Sequence, residues 1–148
     1  METEVIFQLF LAAVLGTIVG IERELAGKTA GMRTYALVSL GSALFSLMSV
    51  LAFKEFVGTT GFDPSRVASQ VVVGVGFIGA GVIFFNKERV QGITTAAGLW
   101  VAAAIGMAVA YKFYVIAIFA TLLTLFIFVI WWHIERYLEK KLESISKD

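Results

Sequence analysis

Five apolar segments fill almost the whole chain, at 5–21, 34–53, 67–85, 93–111 and 113–132. Each is close to the roughly 20 residues that a helix needs to cross a bilayer. Lys, Arg, Asp and Glu gather in the gaps between them. The bilayer core offers no water to backbone amides, so each segment must close its own hydrogen bonds as a helix. The expected fold class is an all-α membrane protein, a compact bundle of about five transmembrane helices. Residues 1–132 form the transmembrane domain in this reading, and 133–148 a charged, amphipathic helical tail. Mean hydropathy of +0.87 and 59% apolar residues support it, since soluble domains are about half apolar.

The net charge of +1 carries no message, but its distribution does. With the N-terminus outside, the inner loops hold Arg23, Lys28, Arg33, Lys87, Arg89, Arg136, Lys140, Lys141 and Lys147. The outer loops hold Lys54, Arg66 and Lys112. Nine cations against three is a positive-inside bias. The expected topology is N-out and C-in. The acidic start is unlike a secretory signal, so the first helix is expected to be retained. With no cysteine, disulfides and thiolate chemistry are excluded. No phosphate-binding glycine loop, nucleophile–base pair or His cluster is visible, and neither an enzyme nor a nucleic-acid partner is expected.

Small residues mark the expected helix contacts. Ala12, Gly16 and Gly20 recur every fourth residue in the first helix. Gly98, Ala102, Gly106 and Ala110 do so in the fourth. Such ridges let backbones approach closely. The third segment holds Gly74, Gly76, Gly79, Ala80 and Gly81, which allow close backbone packing or a local break in the helix. Ser39, Ser42, Ser46 and Ser49 form one stripe on the second helix. A glycine- and threonine-rich turn is expected at 54–62, before Asp63 and Pro64 open the third helix as N-cap and first residue. A second inner loop is expected at 86–92. The fifth helix has few small residues and looks lipid-facing, with Trp131 and Trp132 at the inner interface. The ridges also suggest a homodimer.

Polar groups beside the membrane are functional candidates by default. Glu22, Arg23 and Glu24 end the first helix, with Arg33 across the loop as the natural partner of either glutamate. Gln70 needs a partner at depth, for which a Ser of the second helix or a Thr from elsewhere is the expected source. His133 is given no catalytic role. Magnesium takes oxygen ligands, and the candidates are Glu22, Glu24 and Asp63, although they lie at opposite faces and cannot form one site in a monomer. A small cation or solute path past the Ser stripe and Gln70 is the rival to an interaction role.

Read together, Gly16-x-x-x-Gly20-Ile21-Glu22-Arg23-Glu24, Ala30-Gly31-x-Arg33-Thr34, the string Asp63, Arg66, Gln70, Gly74, Gly76, Gly79, Gly81, and Gly92-Ile93-Thr94-Thr95-Ala96-Ala97-x-x-Trp100 closely resemble the MgtC/SapB family. The likeness runs from about Gly16 to Gly106. It implies a multi-pass protein of the bacterial plasma (inner) membrane, linked to growth at low magnesium and in some members to virulence. It also implies action on other membrane proteins, such as restraint of an F-type ATP synthase or contact with a cation transporter. Many members carry a small soluble domain after the last helix, and this chain resembles the membrane part alone. Val101 stands where the best-known members have Cys, Thr94 where they have Asn, and Gln91 where many have Arg, with Arg89 two residues away.

Overall fold

The computed structural model describes residues 2–52, 63, 65–86 and 89–145, apart from some side chains of the tail. Five helices follow in order: α1 (Glu2–Leu25), α2 (Met32–Leu51), α3 (Ser65–Gly81), α4 (Ile93–Ala110) and α5 (Tyr114–Ile145). A short antiparallel hairpin of β1 (Phe84–Asn86) and β2 (Arg89–Gln91) joins α3 to α4. The chain is an all-α membrane bundle. Four of its helices are long and apolar enough to cross a bilayer. The shorter α3 has 17 residues, about 25 Å at 1.5 Å per residue. The expected turn at 54–62, Pro64 and Lys87 lie outside the described residues.

Local chemistry sets the helix ends. Glu2 and Glu4 occupy the first turn of α1, where the helix dipole favours anions. At its other end Gly27 takes φ 65°, and Lys28 N–H donates to the Arg23 carbonyl at 3.0 Å while Gly27 N–H donates to that of Glu24 at 3.0 Å. This is a Schellman stop, which needs the left-handed residue that glycine supplies. The same pattern ends α4, with Lys112 in the left-handed position at φ 65°. Its ammonium pairs with Glu4 at 2.6 Å, which holds the lysine pKa above its usual value. The Asp63 carboxylate accepts the Ser65 N–H at 2.9 Å and caps α3. Hydrogen bonding to Ser65, from its side chain first and then its main chain, lowers the Asp63 pKa.

The core is the trio α1, α2 and α4. Gln8, Ala12, Leu15, Gly16, Val19, Gly20 and Arg23 make one buried stripe on α1. Gly16 meets Tyr35 and Ser39 of α2, and Gly20 meets Met32. Gly106 lets the Ser39 main chain approach so closely that a methyl carbon there would sit 2.0 Å from its carbonyl oxygen. Gly98 makes room for Tyr35 and for Phe128 of α5. The glycine ridges of α1 and α4 thus pack inside the chain.

Helices α3 and α5 flank this trio. Only Ala68, Val75 and Gly79 of α3 are buried. Gly79 faces Ala96 of α4, whereas Gly74, Gly76 and Gly81 have nothing within 4 Å of where a Cβ would stand. Of the two roles expected for these glycines, close packing or a local break, close packing is met at Gly79, while Gly74, Gly76 and Gly81 are exposed. The segment 67–85 is also not one helix, because β1 begins at Phe84 and the loop expected at 86–92 is half hairpin. The tail continues α5 without a break to Ile145.

Candidate functional site

The motif residues separate into two places. The first is a cleft of about 950 Å³ at the end of the bundle that carries the hairpin. Its walls come from the α1–α2 turn (Lys28, Thr29), the hairpin (Phe84, Val90, Gln91), the start of α4 (Gly92, Thr94, Thr95) and the middle of α5 (Phe128, Trp131, Trp132). Arg23 lies in its wall at 3% exposure. The guanidinium rests on the Phe128 ring, 3.6 Å from its centroid, and its Nε donates to the Glu22 carboxylate. A guanidinium stacks well on an aromatic face and keeps its edge donors free for polar groups.

Gly92 builds the junction beneath this cleft. Its φ of 90° belongs to the left-handed region, and a Cβ there would lie 1.9 Å from the Val82 carbonyl oxygen. Only glycine allows the hairpin to turn into α4 at that point. It offers no side chain to cap the helix. The Thr95 carbonyl accepts the Tyr35 hydroxyl at 3.2 Å, which ties α2 to the start of α4.

The second place is a groove of about 730 Å³ between α2 and α3. Arg33, Thr34, Gln70 and Gly74 line it beside the apolar Leu37, Phe45, Val67, Val71 and Ile78. Arg33 and Gln70 are exposed and make no hydrogen bond or ion pair among the described residues.

Several sequence expectations change here. Arg33 pairs with neither glutamate, because it lines the groove while Arg23 turns into the cleft. Glu22 instead pairs with its own neighbour Arg23. Glu24 reaches across the turn and accepts the Met32 N–H at 3.0 Å, so it caps α2. Gly31 makes that possible, since a Cβ there would come 2.6 Å from the Glu24 carboxylate. With Asp63 capping α3, each of the three carboxylates considered for magnesium has a structural bond. No group of three metal-ligating side chains gathers among the described residues.

Gln70 finds no Ser. The Ser39 hydroxyl donates to Ala12 of α1 at 2.7 Å, and those of Ser42, Ser46 and Ser49 donate within α2. The amide that binds helices together is Gln8, at 1% exposure, which the sequence reading passes over. Its Nε2 donates to the carbonyls of Val109 and Ala110. The signal was present: Gln8 stands one turn before Ala12, on the same four-residue ridge as Gly16 and Gly20. Trp100 and Arg66 are exposed and enter neither place.

The family model described as the MgtC family matches residues 9–137. The chain belongs to the MgtC family. YhiD of Escherichia coli strain K12, named there as a candidate magnesium transporter, is 45% identical over 129 residues, covering 86% of this chain and 60% of YhiD. SrpB of Synechococcus elongatus is 38% identical, covering 80% of this chain and 71% of SrpB. MgtC of Salmonella typhimurium strain LT2 is 42% identical over 102 residues, covering 69% of this chain and 41% of that protein. This MgtC-family chain therefore spans less than two thirds of YhiD and well under half of MgtC. No solved structure matches it.

Proposed function

We propose that this chain is the membrane part of a magnesium-linked regulator of the bacterial plasma membrane, which acts by docking on other membrane proteins through the α2–α3 groove. The observation that carries this is the groove itself. It follows α2 from Arg33 to Phe45, about 18 Å at 1.5 Å per residue, a length suited to a helix and not to a small ion. Gly41 and Gly74 in its walls have nothing within 4 Å of a built Cβ, so another backbone can come close. Arg33 and Gln70 supply unused donors beside the apolar wall. The magnesium link rests on the family and on the name of YhiD. The proposed partner is an F-type ATP synthase or a cation transporter. A second copy of the chain is the rival occupant, which would make the expected homodimer through α2 and α3.

The cation-path reading has less support. Ser39, Ser46 and Ser49 are buried with their hydroxyls bonded inside the bundle, and only Ser42 reaches the groove with Gln70. The experiment is growth of cells at low magnesium on Gly74→Leu and Gln70→Leu variants, matched for membrane level, with a photocrosslinker at position 41. The expected result is loss of growth support together with loss of the crosslink to the partner. Full growth with the groove filled would overturn the docking reading. A crosslink only between copies would assign the groove to a dimer.

A further inference from the structure

We infer that the hairpin-end cleft is a binding site for a phosphate group, held by Arg23, Thr95 and the N-terminus of α4. Three independent features meet there. The first is a helix start without a side-chain cap: the first N–H groups of the 18-residue α4 have no intrahelical acceptor, and Gly92 brings no side chain to them. Such a start favours an anion.

The second is Thr95. It is 3% exposed and lines the cleft, yet its hydroxyl makes no hydrogen bond among the described residues. No buried side-chain oxygen or nitrogen there is sealed off without a partner. The hydroxyl therefore keeps its remaining access through the cleft, where it can donate to a ligand. The third is Arg23, equally buried. Its Nε is taken by Glu22 and one face by Phe128, but its terminal nitrogens have no hydrogen-bond partner among the described residues. An arginine edge with open donors suits a phosphate oxygen pair.

The charge balance agrees. Lys28 and Arg23 are the charged residues in the cleft wall, and neither Asp nor Glu is among the described residues that line it. Glu22 offsets part of the Arg23 charge from behind, which leaves Lys28 and the helix start as the surplus. Beside these lie Phe84, Ile127, Trp131 and Trp132, an apolar lip with two Trp, a residue type enriched where membrane meets water. One phosphate chemistry thus has two sources: the headgroup of an anionic phospholipid, whose chains would lie along that lip, or free inorganic phosphate.

The test is thermal unfolding of the purified full chain in detergent, titrated with phosphatidylglycerol or with inorganic phosphate at constant ionic strength. Thr95→Val and Lys28→Gln are compared with wild type. Arg66→Gln, at the other end of the bundle, controls for bulk charge. A ligand that binds only the folded chain raises its unfolding temperature with concentration. The expected result is a saturable rise in wild type and in Arg66→Gln. The apparent affinity should weaken about tenfold in Thr95→Val, since a hydrogen bond to a charged group is worth about that factor. A response to phosphatidylglycerol alone assigns the lipid source, and an equal response to inorganic phosphate assigns the free anion. No rise with either, or equal rises in all four proteins, would overturn the site. Thr95 and Lys28 lie outside the α2–α3 groove, so this outcome is separable from that of the docking proposal.

Discussion

The Gln8 side-chain amide donates to the Val109 carbonyl at 3.0 Å, and to the next carbonyl, Ala110, at 2.9 Å. The start of α1 is thereby fastened to the end of α4, across 101 residues of chain. The last carbonyls of a helix have no intrahelical donor, and in an apolar surrounding they need one. Val109 also accepts the Lys112 N–H at 3.0 Å, whereas Ala110 has only Gln8 among the described residues. Gln8→Leu keeps the volume roughly constant and removes both bonds. It should lower stability by about 1–2 kcal/mol, the range for polar contacts between membrane helices. Gln70→Leu, on the exposed side of α3, should leave stability nearly unchanged. Thermal unfolding in detergent checks the pair, and equal losses would contradict the contact assignment.

The same method separates the glycines. Gly106→Ala places a methyl 2.0 Å from the Ser39 carbonyl oxygen, and Gly16→Ala places one 2.6 Å from that of Tyr35. Backbone atoms cannot swing aside, so each should cost about 1–3 kcal/mol or prevent assembly. Gly79→Ala meets Ala96 at an ordinary 3.5 Å, and Gly76→Ala meets nothing. Those two should be neutral or stabilising by up to about 1 kcal/mol, since alanine is the better helix former. The order of the four in unfolding temperature is the measurement.

These glycines show how far the sequence can be read. Spacing revealed that α1 and α4 carry ridges for close contact, because a four-residue repeat stays on one helix face. It also revealed the five helices, because their length and polarity are local properties. What spacing cannot encode is which ridge meets which. Gly74, Gly76 and Gly81 look like Gly98 and Gly106 in sequence, yet the first three face outward and the last two touch α2 and α5. The ion pairs were hidden for the same reason. Arg33 and Glu24 are close in sequence, but α2 turns Arg33 toward α3 while Glu24 is drawn to the Met32 amide.

At Gly92 the obstacle is conformation as well as space. A residue with a Cβ resists φ 90°, and the carbon would also collide with the Val82 carbonyl oxygen. Gly92→Ala should therefore cost about 1–3 kcal/mol and loosen the link between hairpin and α4. Proteolysis of the folded protein in detergent should cut this link in the variant much faster than in wild type. Gly81→Ala, in open space where α3 ends before the hairpin, should cut at the wild-type rate.

Arg23 gives the sharpest contrast with a surface charge. Its side chain is 4% exposed and that of Glu22 is 18% exposed. Removing one member of a buried pair leaves the other charge without compensation, at a cost of about 3–5 kcal/mol. Arg23→Gln should approach that figure, lessened by the partial exposure of Glu22. The double variant Glu22→Gln with Arg23→Gln should recover part of the loss, because no lone carboxylate remains. Arg23→Lys should stay below wild type as well, since an ammonium cannot stack on Phe128 and offer a planar edge at once. Arg33→Gln, exposed and unpaired among the described residues, should change stability little. A double-mutant cycle for Glu22 and Arg23, read from thermal unfolding, measures the coupling. Additive losses would show that the two charges act separately, and that Arg23 owes its place to Phe128 alone.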